Sequence, residues 1–296
     1  MPEPGGWQAA HAAELERRLA WLRAQPDGTL HEAAEGAHRI RIIKQAGQVQ
    51  LYFVDPPDEL NGPMSRMQLD RPLRLLAEYT QAAALTLLWQ PEPARAALLG
   101  LAGGRLSLVL YHHLPALTID NVEVDPAVPP LAERFFGLAF DERQRLAVQD
   151  ARAFLEGRAG QRYDIIVMDA FSDAGDQLDH LATVEFYALC QARLARGGVV
   201  CVNLLKSDPR FLSKARTFLH AFRHTSVAEQ KHGVVLFGSQ QGRLSPADLL
   251  LRARRLDRLH QFDFPFVERA ATLRHARDND LLRGAALRAA PLLRET

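Results

Sequence analysis

The sequence predicts an α/β chain organised on a mostly parallel sheet with helices on both faces. Three observations lead there. Short apolar runs, "RAALLGL", "LTIDNVEVD", "RLAVQD", "YDIIVMDAF" and "GGVVCVNLL", alternate with helix-like stretches across the middle of the chain. Strands buried on both faces read as continuous apolar runs rather than as alternation. Finally, "SVAEQ" and "GVVLFGS", joined by Lys231 and His232, read as a hairpin whose last strand runs antiparallel to the rest, which makes seven strands.

The elements follow in order. From Ala9 to Arg23, Leu15, Leu19 and Leu22 recur at helical spacing among charged residues, and "QPDG" closes the helix. In "HRIRIIKQAGQVQLYFVD", apolar residues alternate on both sides of Ala46 and Gly47, the pattern of an antiparallel hairpin. A helix is expected to start at Pro72 and run through Trp89, where the prolines of "QPEP" stop it. Within the sheet region the helical stretches are Pro129 to Phe136, Ala151 to Glu156 and Leu181 to Ala195, and a further one runs from Pro209 to Phe222. Beyond Pro246 the chain is rich in Leu and Arg and helical in pattern, with a break at "FDFPF". The expected organisation is an N-terminal helix over 1–31, a small β-rich cap over 32–71, the sheet domain over 72–240 and a helical extension over 241–296.

Composition narrows the function classes. Hydrophobic residues make up 47% and charged residues 24%, with a formal net charge of +1, so nothing in the overall balance points to nucleic acid. The N-terminal stretch lacks a basic flank followed by an apolar run, and no segment approaches the ~18 uninterrupted apolar residues a membrane span requires. The two cysteines, Cys190 and Cys201, fall in a predicted helix and a predicted strand, which suits buried thiols in a reducing cytoplasm.

In such a sheet, ligands sit beyond the carboxyl ends of the strands. The first of these strands runs into Gly100, with Gly103 and Gly104 close behind. Glycines allow close backbone approach to a ligand, and the following helix offers free N–H groups. The next strand ends in Glu123, at roughly the 20-residue spacing at which an acid can accept hydrogen bonds from both ribose hydroxyls. Asp125 reads first as a cap for the helix behind it, and secondarily as part of the binding rim. Two more strands end in Asp150, followed by Ala151, and in Asp169. No phosphate-cradling Gly-x-x-x-x-Gly-Lys motif is present, and "GLAGGR" fits the dinucleotide fingerprint poorly, so a nucleoside lacking phosphates is the better match.

With "VEVDPAV", "QDARAFL", "YDIIVMDAFSD" and "HLATVEFYALCQARLARGGVVCVNL" in this order, the chain resembles the spermidine synthase family of polyamine aminopropyltransferases from about Arg41 to Gln240. The resemblance implies a Rossmann-like fold of the S-adenosylmethionine-dependent methyltransferase type. It also implies transfer of an aminopropyl group from decarboxylated S-adenosylmethionine to a polyamine such as putrescine, with methylthioadenosine as product and no tightly bound cofactor or metal. By position, Glu123 would hold the ribose, Asp150 and Ala151 the adenine, and Gly100, Gly103, Gly104 and Asp125 the rest of the donor rim. Asp169 and Tyr79 would serve catalysis, with Asp173 as the second acid of the loop after the fourth strand. The same resemblance implies a cytoplasmic homodimer.

Two departures matter. Family members carry an acid within the glycine turn where this chain has Gly103, and Arg105 stands where they have another glycine. Gln81 replaces a glutamate usual in the family. Arg105, at a helix start, is expected to face solvent, although an inward orientation would place a cation near the donor tail and favour a donor retaining its carboxylate. S-adenosylmethionine-dependent methyl transfer and a non-catalytic nucleoside-binding module are therefore alternative readings. Elsewhere, His220 and His224 read as a surface pair on one helix face, and His112 and His113 as a helix end favoured by the C-terminal dipole. His180 reads as a loop residue or a lining of the amine site. Arg252, Arg254, Arg255 and Arg258 read as a solvated helix face or an acidic partner's dock.

Overall fold

The computed structural model describes residues 4–35, 38–55, 59–60, 62–170, 178–240, 242 and 244–295. It opens with α1, Pro4–Ala24, followed by β1, Gly28–Glu35, β2, His38–Gln45, β3, Gln48–Asp55, β4, Glu59–Leu60, and β5, Ser65–Gln68. These strands pair antiparallel into a five-stranded cap sheet. Its β1 begins at Gly28, ahead of the residue 32 at which the cap was expected to start. Leu15, Leu19 and Leu22 of α1 pack with Ile40, Val49 and Leu51 of the cap and with Phe135 and Phe136 of the main domain, so helix, cap and sheet domain share one core.

Next comes α2, Glu78–Ala83, which passes into a 3₁₀ turn over Ala84–Leu88. This helix starts six residues later than the expected Pro72. The reason lies in the carbonyls of the intervening stretch: side chains occupy them instead of helical amides. Arg105 donates to the Pro72 carbonyl and Gln81 Nε2 to that of Leu75 at 2.7 Å.

The main domain contains β6, Arg95–Leu99, α3, Arg105–His113, β7, Thr118–Glu123, α4, Val128–Phe136, β8, Gln144–Val148, α5, Ala151–Glu156, and β9, Tyr163–Met168. It continues through α6, Val184–Arg193, β10, Leu194–Leu205, α7, Phe211–Ala221, β11, His224–Glu229, and β12, Gly233–Ser239. Strands β6 to β10 pair parallel, with β6 at the centre between β7 and β9. Strand β12 inserts antiparallel between β10 and β11, the orientation predicted for the last of the seven strands. The sheet faces are buried against two apolar layers, one containing Leu98, Val167 and Phe237, the other Leu99, Met168 and Leu236.

The C-terminal region forms α8, Pro246–His260, α9, Phe266–Ala271, β13, Arg274–His275, and α10, Ala285–Ala289. The two-residue β13 adds an eighth strand by pairing with β11 at Ser226 and Val227. Among the described residues no helix is long and apolar enough to cross a membrane.

Two histidine readings change. His224 opens β11, so it does not share a helix face with His220. His112 and His113 do end α3, but both are buried among His11, Trp7, Tyr111, His260 and Phe262. Burial pushes His113 down to about 3 and lowers His112, so the pair is a neutral aromatic core and not a cationic helix terminus.

Candidate functional site

Strand ends β6, β7, β8 and β9 converge on a cavity of about 490 Å³, a size suited to a small-molecule ligand. Tyr79, Gly100, Glu123, Asp150, Ala151 and Asp169, six of the residues singled out from the sequence, line it together. The parallel sheet explains the convergence, because every parallel strand delivers its C-terminal residue to the same edge.

The turn after β6 is shaped by its neighbours. Gly100 has φ +101°, and a Cβ there would lie 2.3 Å from the Asp169 carbonyl oxygen, so both conformation and space demand glycine. Glu123 is half-buried at the end of β7. Its Oε2 accepts from the Leu101 amide at 3.0 Å and the Ala102 amide at 3.4 Å, while Oε1 accepts from Val124 at 2.8 Å and Asp125 at 3.1 Å. Four backbone amides thus fix this carboxylate at the cavity wall, ready to accept from hydroxyl donors. Asp150 caps α5, its Oδ1 accepting from the Arg152 amide at 2.9 Å and the Ala153 amide at 3.0 Å. Its Oδ2 lies 2.9 Å from His180 Nε2. Burial works against the Asp150 anion, but the bonds from Ala153 and His180 prevail and hold the carboxyl below its ordinary range. His180 is therefore Asp150's partner and does not line this cavity.

Asp169 follows β9 and borders the cavity. Asn203 Nδ2 donates to its Oδ1 at 3.1 Å, and the Tyr79 hydroxyl engages the same carboxyl. Burial nevertheless dominates and pushes Asp169 up to about 7, in the range where a carboxylate exchanges protons readily at neutral pH. Burial and the adjacent Asp169 charge raise Tyr79 well above its usual value, so the phenol stays protonated and acts as a donor. Asn203 was not picked out from the sequence. The signal was there: it is the one side-chain amide in the apolar run "GGVVCVNLL" of β10.

Some predicted residues do not reach this cavity. Asp125 is buried and turns its Oδ1 to the Ala127 amide at 2.8 Å, closing a turn ahead of α4; it is not the helix cap the sequence suggested, since Ala127 holds that position without a side-chain bond. Gly103 faces the cap, and Gly104 starts α3 in the left-handed conformation with φ +57°. Asp173 lies outside the described residues. Gln81 is buried outside this cavity, accepting from Arg269 Nε at 2.8 Å.

Comparison with known proteins finds likeness in sequence and in fold. The polyamine aminopropyltransferase of Vibrio vulnificus is 32% identical over 152 residues, which cover 50% of this chain and 50% of that one. The human eEF1A lysine and N-terminal methyltransferase is 33% identical over 141 residues, 43% of this chain and 20% of its own length. Among solved structures, a probable spermidine synthase from Corynebacterium glutamicum matches with a TM-score of 0.70 at 19% identity, covering 92% of this chain and 98% of that one. The chain is spermidine synthase-like, with a methyltransferase-like fold. No family model matches it. The aligned segment spans half the length of the Vibrio vulnificus relative.

Against its relatives' pattern, the spermidine synthase-like chain shows why its glycine turn lacks an acid. The Gly103 amide donates to Ser65 Oγ of β5 at 2.9 Å, and a Cβ on Gly103 would meet Ser65 Cβ at 2.7 Å and Phe136 at 2.9 Å. The cap occupies the space a side chain would need. Arg105, expected at the surface, is only 5% exposed. Its guanidinium donates to the carbonyls of Pro72 and Phe136 and approaches Met67 Sδ at 3.4 Å, while Nε is buried without a partner. It does not line the cavity at the strand ends. Desolvation brings Arg105 down to about 9, which still leaves it cationic at neutral pH.

Proposed function

We propose that this chain is a transferase that moves an alkyl group from an adenosyl sulfonium donor to an amine, in its first reading an aminopropyltransferase using decarboxylated S-adenosylmethionine. The observation carrying this reading is the convergence of Glu123, Asp150 and Asp169 on one cavity at the ends of β7, β8 and β9. Glu123 would accept from the ribose hydroxyls and Asp150 with Ala151 would bound the adenine. The sulfonium-borne carbon would then lie toward Asp169 and Tyr79.

The chemistry asks little covalent work of the protein. The acceptor ammonium gives one proton to Asp169, and the freed lone pair attacks the carbon bonded to sulfur. The C–N bond forms as the C–S bond breaks, and its electron pair returns to sulfur, leaving neutral methylthioadenosine. Asp169 is suited to the proton step because burial places it near neutrality, and Tyr79 and Asn203 orient its carboxyl. Holding both reactants in line supplies much of the remaining acceleration. A polyamine such as putrescine is the acceptor that the resemblance suggests. A homodimer and a cytoplasmic setting accompany the reading, the latter in keeping with two buried free thiols.

Methyl transfer from S-adenosylmethionine is the second reading. It is favoured by Gly103, which leaves the turn without the carboxylate that would grip a propylammonium tail, and by the likeness to a named methyltransferase. Incubating the purified chain with each donor and a panel of amines tests both: methylthioadenosine as product supports the first reading and S-adenosylhomocysteine the second. Release of neither, with no binding of methylthioadenosine, overturns both.

A further inference from the structure

Beside the donor cavity lies a second cavity of about 450 Å³, reached across Tyr79 and Asn203, the two partners of Asp169. An acceptor whose nitrogen approaches Asp169 extends its far end into this space. The charges around it are one-sided. Arg66, Lys231 and the buried Arg105 all line it, with His232 shared between the two cavities.

Among the described residues its one carboxylate is Glu78, and that group is already paired with Arg269 Nη2 at 3.1 Å. Arg66 acts electrostatically on Tyr79, which places its positive field at the reacting end as well. Arg105 contributes most per charge, because it is buried, has no carboxylate partner among the described residues, and is poorly screened by water. A dication entering such a space loses hydration and meets like charge at its far end.

We propose that the acceptor is an amine bearing an anionic group, a carboxylate, held toward Arg66 and Lys231 while its amino nitrogen faces Asp169, in place of a polyamine. This rests on the transferase reading above and narrows its substrate class. The reaction balance is unchanged: the nitrogen loses one proton to Asp169, forms the C–N bond and leaves a neutral thioether. The acceptor's carboxylate takes no part in bond making.

The test uses the full chain saturated with methylthioadenosine, titrated calorimetrically with two four-carbon probes that differ only at the far end, putrescine and 4-aminobutanoate. The expected result is tighter binding of 4-aminobutanoate by about tenfold or more, the scale of one added favourable charge contact in a partly screened site. A chain carrying both Arg66→Glu and Lys231→Glu, substitutions at exposed positions, is expected to invert the preference. Putrescine binding as tightly as 4-aminobutanoate or more so overturns the proposal, as does binding of neither probe to the methylthioadenosine complex. Failure of methylthioadenosine itself to bind is a different outcome, and it removes the transferase reading along with this one.

Discussion

Replacing Asp169 with Asn removes the proposed base and, at the same time, a charge that the fold holds at a cost. Burial raises this carboxyl from 3.8 to about 7. Between those limits the folded chain keeps a proton that the unfolded chain has released, so stability falls as pH rises through the window and levels off above pH 7. The full shift corresponds to about 4 kcal/mol. Because the carboxyl borders the cavity and is only half-buried, water screening reduces the expected effect to about 2 kcal/mol. Asn cannot ionise and still accepts from Asn203. Asp169→Asn is therefore expected to match the parent chain near pH 4 and to exceed it by about 2 kcal/mol at pH 8, a rise of about 3 °C in Tm for a chain of this size. Turnover should fall by about 10² to 10⁴. Calorimetric scans of both chains from pH 4 to 8 provide the assay. A stability difference that does not change with pH would show that Asp169 is ionised and solvated in the fold, and the argument for a near-neutral base would be lost.

Other expectations follow from the same geometry. Glu123→Gln keeps the size of the side chain but turns an NH2 group toward two of the four backbone amides that now donate to the carboxylate, so the fold should lose about 1 to 3 kcal/mol and methylthioadenosine affinity should drop by about 10- to 100-fold; equal affinity in a titration would remove Glu123 from the ribose site. Gly103→Asp, which restores the acid usual in relatives, is expected to destabilise the chain by about 2 kcal/mol or more instead of improving aminopropyl transfer, since its Cβ would meet Ser65 at 2.7 Å; an undiminished Tm would show that the cap yields easily. His11 is pushed down to about 4, chiefly by burial, and His113 to about 3. Both are neutral in the fold, so their contribution is complete above pH 6.5 and is lost as pH falls below it, about 3 kcal/mol by pH 5. This is best measured in the Asp169→Asn chain, where the opposing Asp169 contribution is absent, and a Tm unchanged between pH 7 and pH 5 would contradict the buried neutral cluster.

The residues legible in the sequence are those whose position depends on local pattern alone. Gly100, Glu123, Asp150 and Asp169 each end an apolar strand, and a parallel sheet carries all such ends to one edge, so reading the strands amounted to reading the rim. Arg105 escaped that logic. Its burial depends on the carbonyl of Pro72 and on the sulfur of Met67, partners more than 30 positions away that arrive only when the cap docks. The late start of α2 has the same origin, because side chains from elsewhere claim carbonyls that a local reading assigns to the helix. Gly103 reads in the sequence only as a missing acid within the turn. Its constraint comes from Ser65, a residue with no mark in its own neighbourhood of the sequence.

The Ser65 contact to the Gly103 amide has a practical corollary. The glycine turn that bounds the cavity is also the seat of the small sheet, and Arg105 is clasped to the strand-to-helix segment just beyond it. A polypeptide trimmed to begin at Glu78 would keep every acid of the rim yet strip the loop of its outer wall and leave the Arg105 guanidinium with the Phe136 carbonyl alone of its present partners. The front quarter of the chain is thus no detachable accessory, and grafting it onto another sheet domain would require the bare glycine and the arginine to travel with it.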